Sequence, residues 1–153
     1  MSLIPMIDPP FPEWRALLAA VCSWGLAQSL KVLRLTIKRR RFNLKWLFDT
    51  GGMPSSHSAG VSSVATVTGL YYGFGSVLFL IAFSFAVVTM FDAAGVRRLV
   101  GKQAIVLNKM TDDLYEHGQI GETRLKELLG HTPIEVFAGA FLGIFISYII
   151  CMQ

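Results

Sequence analysis

Two histidines, each in a segment rich in glycine, proline and small hydroxyl residues, are the side chains of this sequence best suited to chemistry. The first lies in GGMPSSHS at 51–58. Gly51 and Gly52 permit a tight turn, and Pro54 suits a first helical position. Ser55 and Ser56 bring hydroxyls beside the free N–H groups of a helix start, which together make an anion cradle. His57 follows, placed to give a proton to a leaving oxygen; the plainer alternative is a bystander beside a helix cap. The second histidine lies in GHTPIEVFAG at 130–139. His131 and Glu135 are one helical turn apart, so the carboxylate can reach the imidazole. A carboxylate there fixes the tautomer and raises basicity, as a nucleophilic or proton-accepting histidine requires. Surface helices produce the same spacing by chance, but at the start of a membrane span an acidic residue is costly and needs a partner.

A third segment, FDAAGVRRLVGKQA at 91–104, supplies cations. Asp92 stands at the edge of an apolar run, where a carboxylate is functional or paired. Arg97 and Arg98 carry guanidinium forks that match phosphate oxygens, with Lys102 one turn beyond Arg98. Membrane-side anchoring explains the arginine pair equally well. Lys31, Arg34 and Lys38 form a further basic stripe at i, i+3 and i+7, for which anchoring is the preferred reading. Two histidines, an anion cradle and fixed cations describe a phosphoryl-transfer site that needs no metal. Asp112, Asp113 and Glu116 are read as solvated loop residues rather than metal ligands.

These segments must be positioned by membrane helices. The chain has 153 residues, 53% of them apolar and 16% charged, with a mean hydropathy of +0.52, too apolar for an ordinary soluble domain. From Thr50 to Phe91 no Asp, Glu, Lys or Arg occurs, and a second uncharged run covers 136–153. A span takes about 20 apolar residues, so the first run holds two crossings and the second one. Residues 14–37 make a fourth, with Lys31 and Arg34 near its end, where long cations snorkel. The expected spans are 14–37, 54–73, 76–98 and 133–152, with a turn at YYGFGS, all in a single integral membrane domain over 1–153. The fold class is thus all-α: a polytopic membrane helical bundle of about four transmembrane helices. The 99–132 connection is too long for a bare loop, and two short interfacial helices are expected in it.

The charges are one-sided. Thirteen of the 14 Lys and Arg residues fall on or near the 38–53 and 99–132 connections, and only Arg15 falls on the other face. The positive-inside rule makes the first face cytoplasmic and puts both termini outside. This also accounts for the net charge of +4 without invoking nucleic acid. The start of the chain lacks the basic region of a cleavable signal peptide. Cys22 and Cys151 sit in separate expected spans, which excludes a disulfide scaffold or a cysteine zinc site.

The runs TGGMPSSHSAGVSSVATVTGL, FDAAGVRRLVGKQAIVLN and LKELLGHTPIEVFAGAFLG, in that order, resemble the divergent membrane branch of the type 2 phosphatidic acid phosphatase and vanadium haloperoxidase superfamily. The resemblance covers roughly residues 14 to 150. It implies that His131 attacks phosphorus, that Glu135 orients it, that His57 protonates the leaving group, and that Ser55 and the backbone around Ser56 hold phosphate. Ser56 stands where the superfamily has glycine and Glu135 where it has aspartate. The early lysine–arginine motif is matched only approximately by Lys31 and the 38–41 cluster, and the arginine expected before the late histidine is replaced by Leu125, between Arg124 and Lys126. The phosphate contacts are therefore expected from Arg97 or Arg98 with Lys126 or Lys31, together with Gly52.

The resulting expectation is a lipid phosphatase that works through a phosphohistidine with no cofactor and no metal, in a bacterial inner or plastid-type membrane with its site on the cytoplasmic side. That sidedness favours a glycerophospholipid phosphate such as phosphatidylglycerophosphate. A polyprenyl pyrophosphatase is the first alternative, and a non-catalytic phospholipid-binding or structural protein the second. The expected partners are the lipid phosphate and the membrane, with no nucleic acid; an oligomer is compatible with the spans.

Overall fold

The computed structural model describes residues 10–43, 46, 51–115 and 130–153. Those residues form five helices: α1 (Glu13–Arg39), α2 (Ser56–Tyr72), α3 (Val77–Ala94), α4 (Val96–Tyr115) and α5 (Pro133–Met152). No strand occurs among the described residues. The protein is an all-helical membrane bundle, as its composition requires. Three helical stretches, Glu13–Arg39, Val77–Asp112 and Pro133–Met152, are long and apolar enough to cross a membrane. α2 is shorter, with 17 residues.

Local signals set the helix ends. Glu13 opens α1 and Lys38 and Arg39 close it, each opposing the local end of the helix dipole, and Arg40 turns the chain off in a left-handed conformation at φ 48°. The YYGFGS turn falls where the sequence places it: Gly73 takes φ 88°, and the Ser76 hydroxyl accepts from the Phe79 N–H at 3.1 Å to cap α3. At the other end of α2, Pro54 does not take the first helical position. Ser55 is the cap instead, because its hydroxyl can accept from the Ser58 N–H at 3.3 Å, and Pro54 stands before it.

α2 lies at the centre, packed against α1, α3 and α5, while α1 and α3 do not meet among the described residues. Its buried face is built from small residues, among them Ser58, Ala59, Ser62, Ser63 and Ala65. α5 meets that face with Gly139 and Gly143, spaced one helical turn apart. A Cβ on Gly139 would collide with the Ser55 carbonyl, and one on Gly143 with the Ala59 carbonyl. Further along, the Ser63 and Ser147 hydroxyls hydrogen-bond at 2.7 Å. Large apolar side chains such as Leu78, Val88, Phe91 and Phe141 point outward. This is the membrane arrangement: lipid solvates the bulky residues, and small ones let backbones approach.

The structure adds detail to two expectations. Within the expected third span, 76–98, α3 ends at Ala94 and a turn at Gly95 separates it from α4. Arg97 and Arg98 lie in the first turn of α4. The 99–132 connection begins not with a short helix but with α4, 20 residues long and packed only on α3 among the described helices. Val96, Leu99, Val106 and Met110 form an exposed apolar stripe along it, and Arg98, Lys102 and Lys109 form a basic stripe on another side. That pattern suits a helix lying in the membrane interface, and its continuity follows from the absence of any glycine or proline between Lys102 and Tyr115. The second short helix, expected near 122–130, lies outside the described residues apart from Gly130.

Candidate active site

The end of α1, the starts of α2 and α5, and the α3–α4 corner meet at one end of the bundle. Backbone hydrogen bonds fix the meeting. The Ser55 N–H donates to the Glu135 carbonyl at 3.0 Å, and the His131 N–H donates to the Ala93 carbonyl at 2.9 Å. Gly130, at φ 84°, turns the chain into α5, and a Cβ there would strike the backbone of Arg97 and Arg98. A glycine is therefore required at that position both by conformation and by space.

His131 is buried, 5% exposed, and its Nδ1 lies 3.3 Å from Glu135 Oε2. The same carboxylate oxygen accepts from the Thr132 N–H at 3.0 Å, while the Thr132 hydroxyl accepts from the Glu135 N–H at 3.4 Å. Glu135 thus completes a reciprocal cap on α5 and holds the imidazole with one group. With Nδ1–H donating to the carboxylate, Nε2 carries the free lone pair. Burial pushes the His131 imidazole below its ordinary value; the Glu135 hydrogen bond and charge pull it back up, and Lys31 and His57 push it down. The net effect is downward, which favours the neutral ring.

His57, in the first turn of α2, shares with His131 a small cavity of about 30 Å³, room for about one water molecule, also lined by Thr89, Ala93, Arg97 and Gly130. The structure therefore brings together the two histidines and one arginine of the sequence-derived set. Arg97 is held by Asp92, with Nε donating to Oδ2 at 2.6 Å and both side chains partly exposed. Arg98 does not line the cavity and belongs to the exposed basic stripe of α4. Ser55 and Ser56 are buried and do not line the cavity. The Ser55 hydroxyl is engaged by the Ser58 N–H and hydroxyl, the latter at 3.0 Å. Lys126 lies outside the described residues.

On the other side of Glu135 is a second, basic recess of about 160 Å³, lined by Lys31, Arg34, Lys38, Gly52 and Met53 as well as Glu135. Lys31 does not snorkel to the surface. It is 2% exposed, its Nζ donates to Gln28 Oε1 at 3.1 Å, and its stem packs beside Gly52. Sequence reasoning missed Gln28 and Thr89. A signal existed for the first, a polar residue three before a lysine within an apolar helix. Thr89 offered none, because its hydroxyl is already bonded to the Phe85 carbonyl at 2.8 Å.

A protein of Bacillus subtilis (strain 168), described as the uncharacterized membrane protein YuiD, is 41% identical over 145 residues, which cover 88% of this chain and 92% of that one. No solved structure is significantly similar. The model of the Divergent PAP2 family matches residues 13–146, a stretch that includes His57, the Asp92–Arg97 pair, His131 and Glu135, and the chain belongs to that family.

Proposed function

We propose that the protein is a membrane lipid phosphatase that transfers a phosphoryl group through His131. The observation that carries the reading is the buried His131, its Nδ1 on Glu135 and its ring lining one cavity with His57 and Arg97. In the first step Nε2 of His131 attacks phosphorus and forms an N–P bond. The P–O bond to the lipid breaks, and protonated His57 gives its proton to the leaving oxygen. Glu135 stabilises the positive charge that develops on the imidazole, and Arg97 faces the phosphoryl oxygens. In the second step His57, now neutral, takes a proton from water as it attacks phosphorus. The N–P bond breaks, releasing inorganic phosphate and restoring both histidines. No cofactor enters this scheme.

The favoured substrate is a glycerophospholipid phosphomonoester such as phosphatidylglycerophosphate. The support is the thirteen-to-one charge split, which puts the helix ends bearing the histidines on the cytoplasmic face where such intermediates are made. The basic recess beside Glu135 favours a second reading, a polyprenyl pyrophosphate, since it offers cations for a second phosphate group. Purified protein in detergent, supplied with both lipids and assayed for free phosphate, decides between them. Vanadate, a mimic of five-coordinate phosphorus, is expected to inhibit, and EDTA is not. Strong EDTA inhibition reversed by Mg²⁺ refutes the metal-free scheme, and no phosphate from any lipid leaves the binding-protein alternative in its place.

A further inference from the structure

An apolar cavity of about 390 Å³ lies between α3 and α5 with α2 as its floor. It exists because α3 packs closely on α2 and only slightly on α5, leaving a slot between two helices whose outer faces are lipid-exposed. Its lining hydroxyls on α2 are spent: Thr66 donates to the Ser62 carbonyl at 2.8 Å, and the Ser62 hydroxyl lies 3.8 Å from the Met90 sulfur. A polar ligand would find little to bind, and a cavity of this kind excludes water.

The position of the slot says what enters it. At one end Met90 adjoins Thr89, and Phe137 lies just over a turn into α5 from His131, so the slot begins beside the histidine cavity. At the other end Phe74 and Phe79 meet edge to face, with ring centroids 5.1 Å apart, and both rest on Gly69, where a Cβ would overlap them. From Phe79 to Met90 α3 rises about 16 Å. One leaflet of hydrocarbon is about 15 Å deep.

We propose that this slot holds one acyl chain of the lipid phosphate, with the headgroup at His131 and the Phe74–Phe79 pair as a stop that limits chain length. The inference rests on the lipid-phosphatase reading. It favours an acyl lipid over a polyprenyl one, because a much longer chain would have to leave the slot. The occupant is one chain of the substrate; the second chain lies outside, in the bilayer.

The test uses the full chain in nanodiscs and a phosphatidic acid carrying a diazirine midway along one acyl chain. Cross-links mapped by mass spectrometry are expected at Phe83, Ala86 and Ile144, and to be competed by plain phosphatidic acid but not by phosphatidylcholine. Labelling confined to outward residues such as Val88 and Phe141, or labelling that phosphatidylcholine competes equally, overturns the proposal. A parallel assay of phosphate release measures a chain-length series with Phe79→Ala and Phe74→Ala, the second variant guarding against misfolding of the first. Opening the stop is expected to lower KM for chains longer than the wild-type optimum, by about fourfold for each added methylene buried, with kcat held. An unchanged length preference in both folded variants overturns the stop. Phosphate release with outward labelling refutes the slot and spares the enzyme reading, whereas competed labelling without phosphate release on any lipid refutes the enzyme reading and spares the slot.

Discussion

Replacing Glu135 by glutamine separates the two tasks that this residue performs. Glutamine keeps an oxygen that can accept from the Thr132 N–H, now 3.0 Å from the carboxylate, so the cap on α5 survives. What disappears is the negative charge beside His131 Nδ1, now 3.3 Å away. A hydrogen bond to a charged group contributes about 1–2 kcal/mol more than a neutral one, and the difference is largest when the imidazole becomes cationic in the transition state. At about 1.4 kcal/mol per factor of ten, kcat is expected to fall by about 5- to 30-fold. The pH profile supplies an independent readout. Burial already holds His131 below its ordinary value, and Glu135 is the group that opposes this shift. The proposed mechanism requires neutral His131, so the acid limb of wild-type activity should lie below the ordinary histidine value. In Glu135→Gln it should move to still lower pH, because protonation becomes harder. The fall in kcat at neutral pH therefore cannot come from loss of the neutral form. Glu135→Ala removes cap and charge together and should add about 1 kcal/mol of destabilisation. Phosphate release against pH, with thermal unfolding in detergent, measures both. A Glu135→Gln protein with wild-type kcat and an unmoved acid limb, beside an alanine variant that loses only stability, would show that Glu135 is a helix cap and nothing more.

His131→Ala should abolish turnover, whereas His57→Ala should slow poor leaving groups much more than good ones, which need less proton donation; equal slowing across a leaving-group series in the assay would remove His57 from that role. Gly143→Ala should cost about 1–3 kcal/mol by forcing a methyl group against the Ala59 carbonyl, while Gly25→Ala, with open space around it, should be neutral or better; thermal unfolding of the two variants in detergent checks the contrast. A cysteine at Asn43, in a Cys22→Ser background, should label only in inverted vesicles, and labelling from outside would reverse the proposed sidedness.

The fold was largely legible because its signals are one-dimensional. An uncharged run bounds a span wherever its neighbours lie, and the Gly73–Ser76 turn is set by local conformation alone. The failures are positions decided by a neighbouring helix. Lys31 reads as a snorkelling anchor because its distance from the end of α1 is all that the sequence gives. Its burial comes with the hydrogen bond to Gln28 and with Gly52, from another segment, packing beside its stem. The turn at Gly95 was not legible for the same reason, since the α3–α4 corner is held by Gly130 and His131 from the start of α5. The histidine–glutamate pair was readable from its spacing, but the cavity it shares with His57 and Arg97 is a property of three helix ends.

This dependence on helix ends bears on how the site can work without the usual arginine motifs. Each helix end has unpaired backbone groups that must be satisfied. Here they are satisfied by one another: Ser55 N–H by the Glu135 carbonyl, His131 N–H by the Ala93 carbonyl, and Thr132 N–H by the Glu135 side chain. The histidines are therefore fixed by the same bonds that hold the bundle together, and their alignment does not depend on the cations. The cations come from elsewhere, Arg97 from α4 and Lys31 from α1, each with a partner, Asp92 and Gln28 respectively. An arginine tied to a carboxylate can exchange that partner for a phosphate when the substrate arrives, and is aligned before it does. On this reading Asp92→Asn weakens phosphate binding by loosening Arg97, raising KM with little change in kcat, although Asp92 does not itself line the histidine cavity. A lowered KM would mean instead that Asp92 competes with phosphate for the guanidinium.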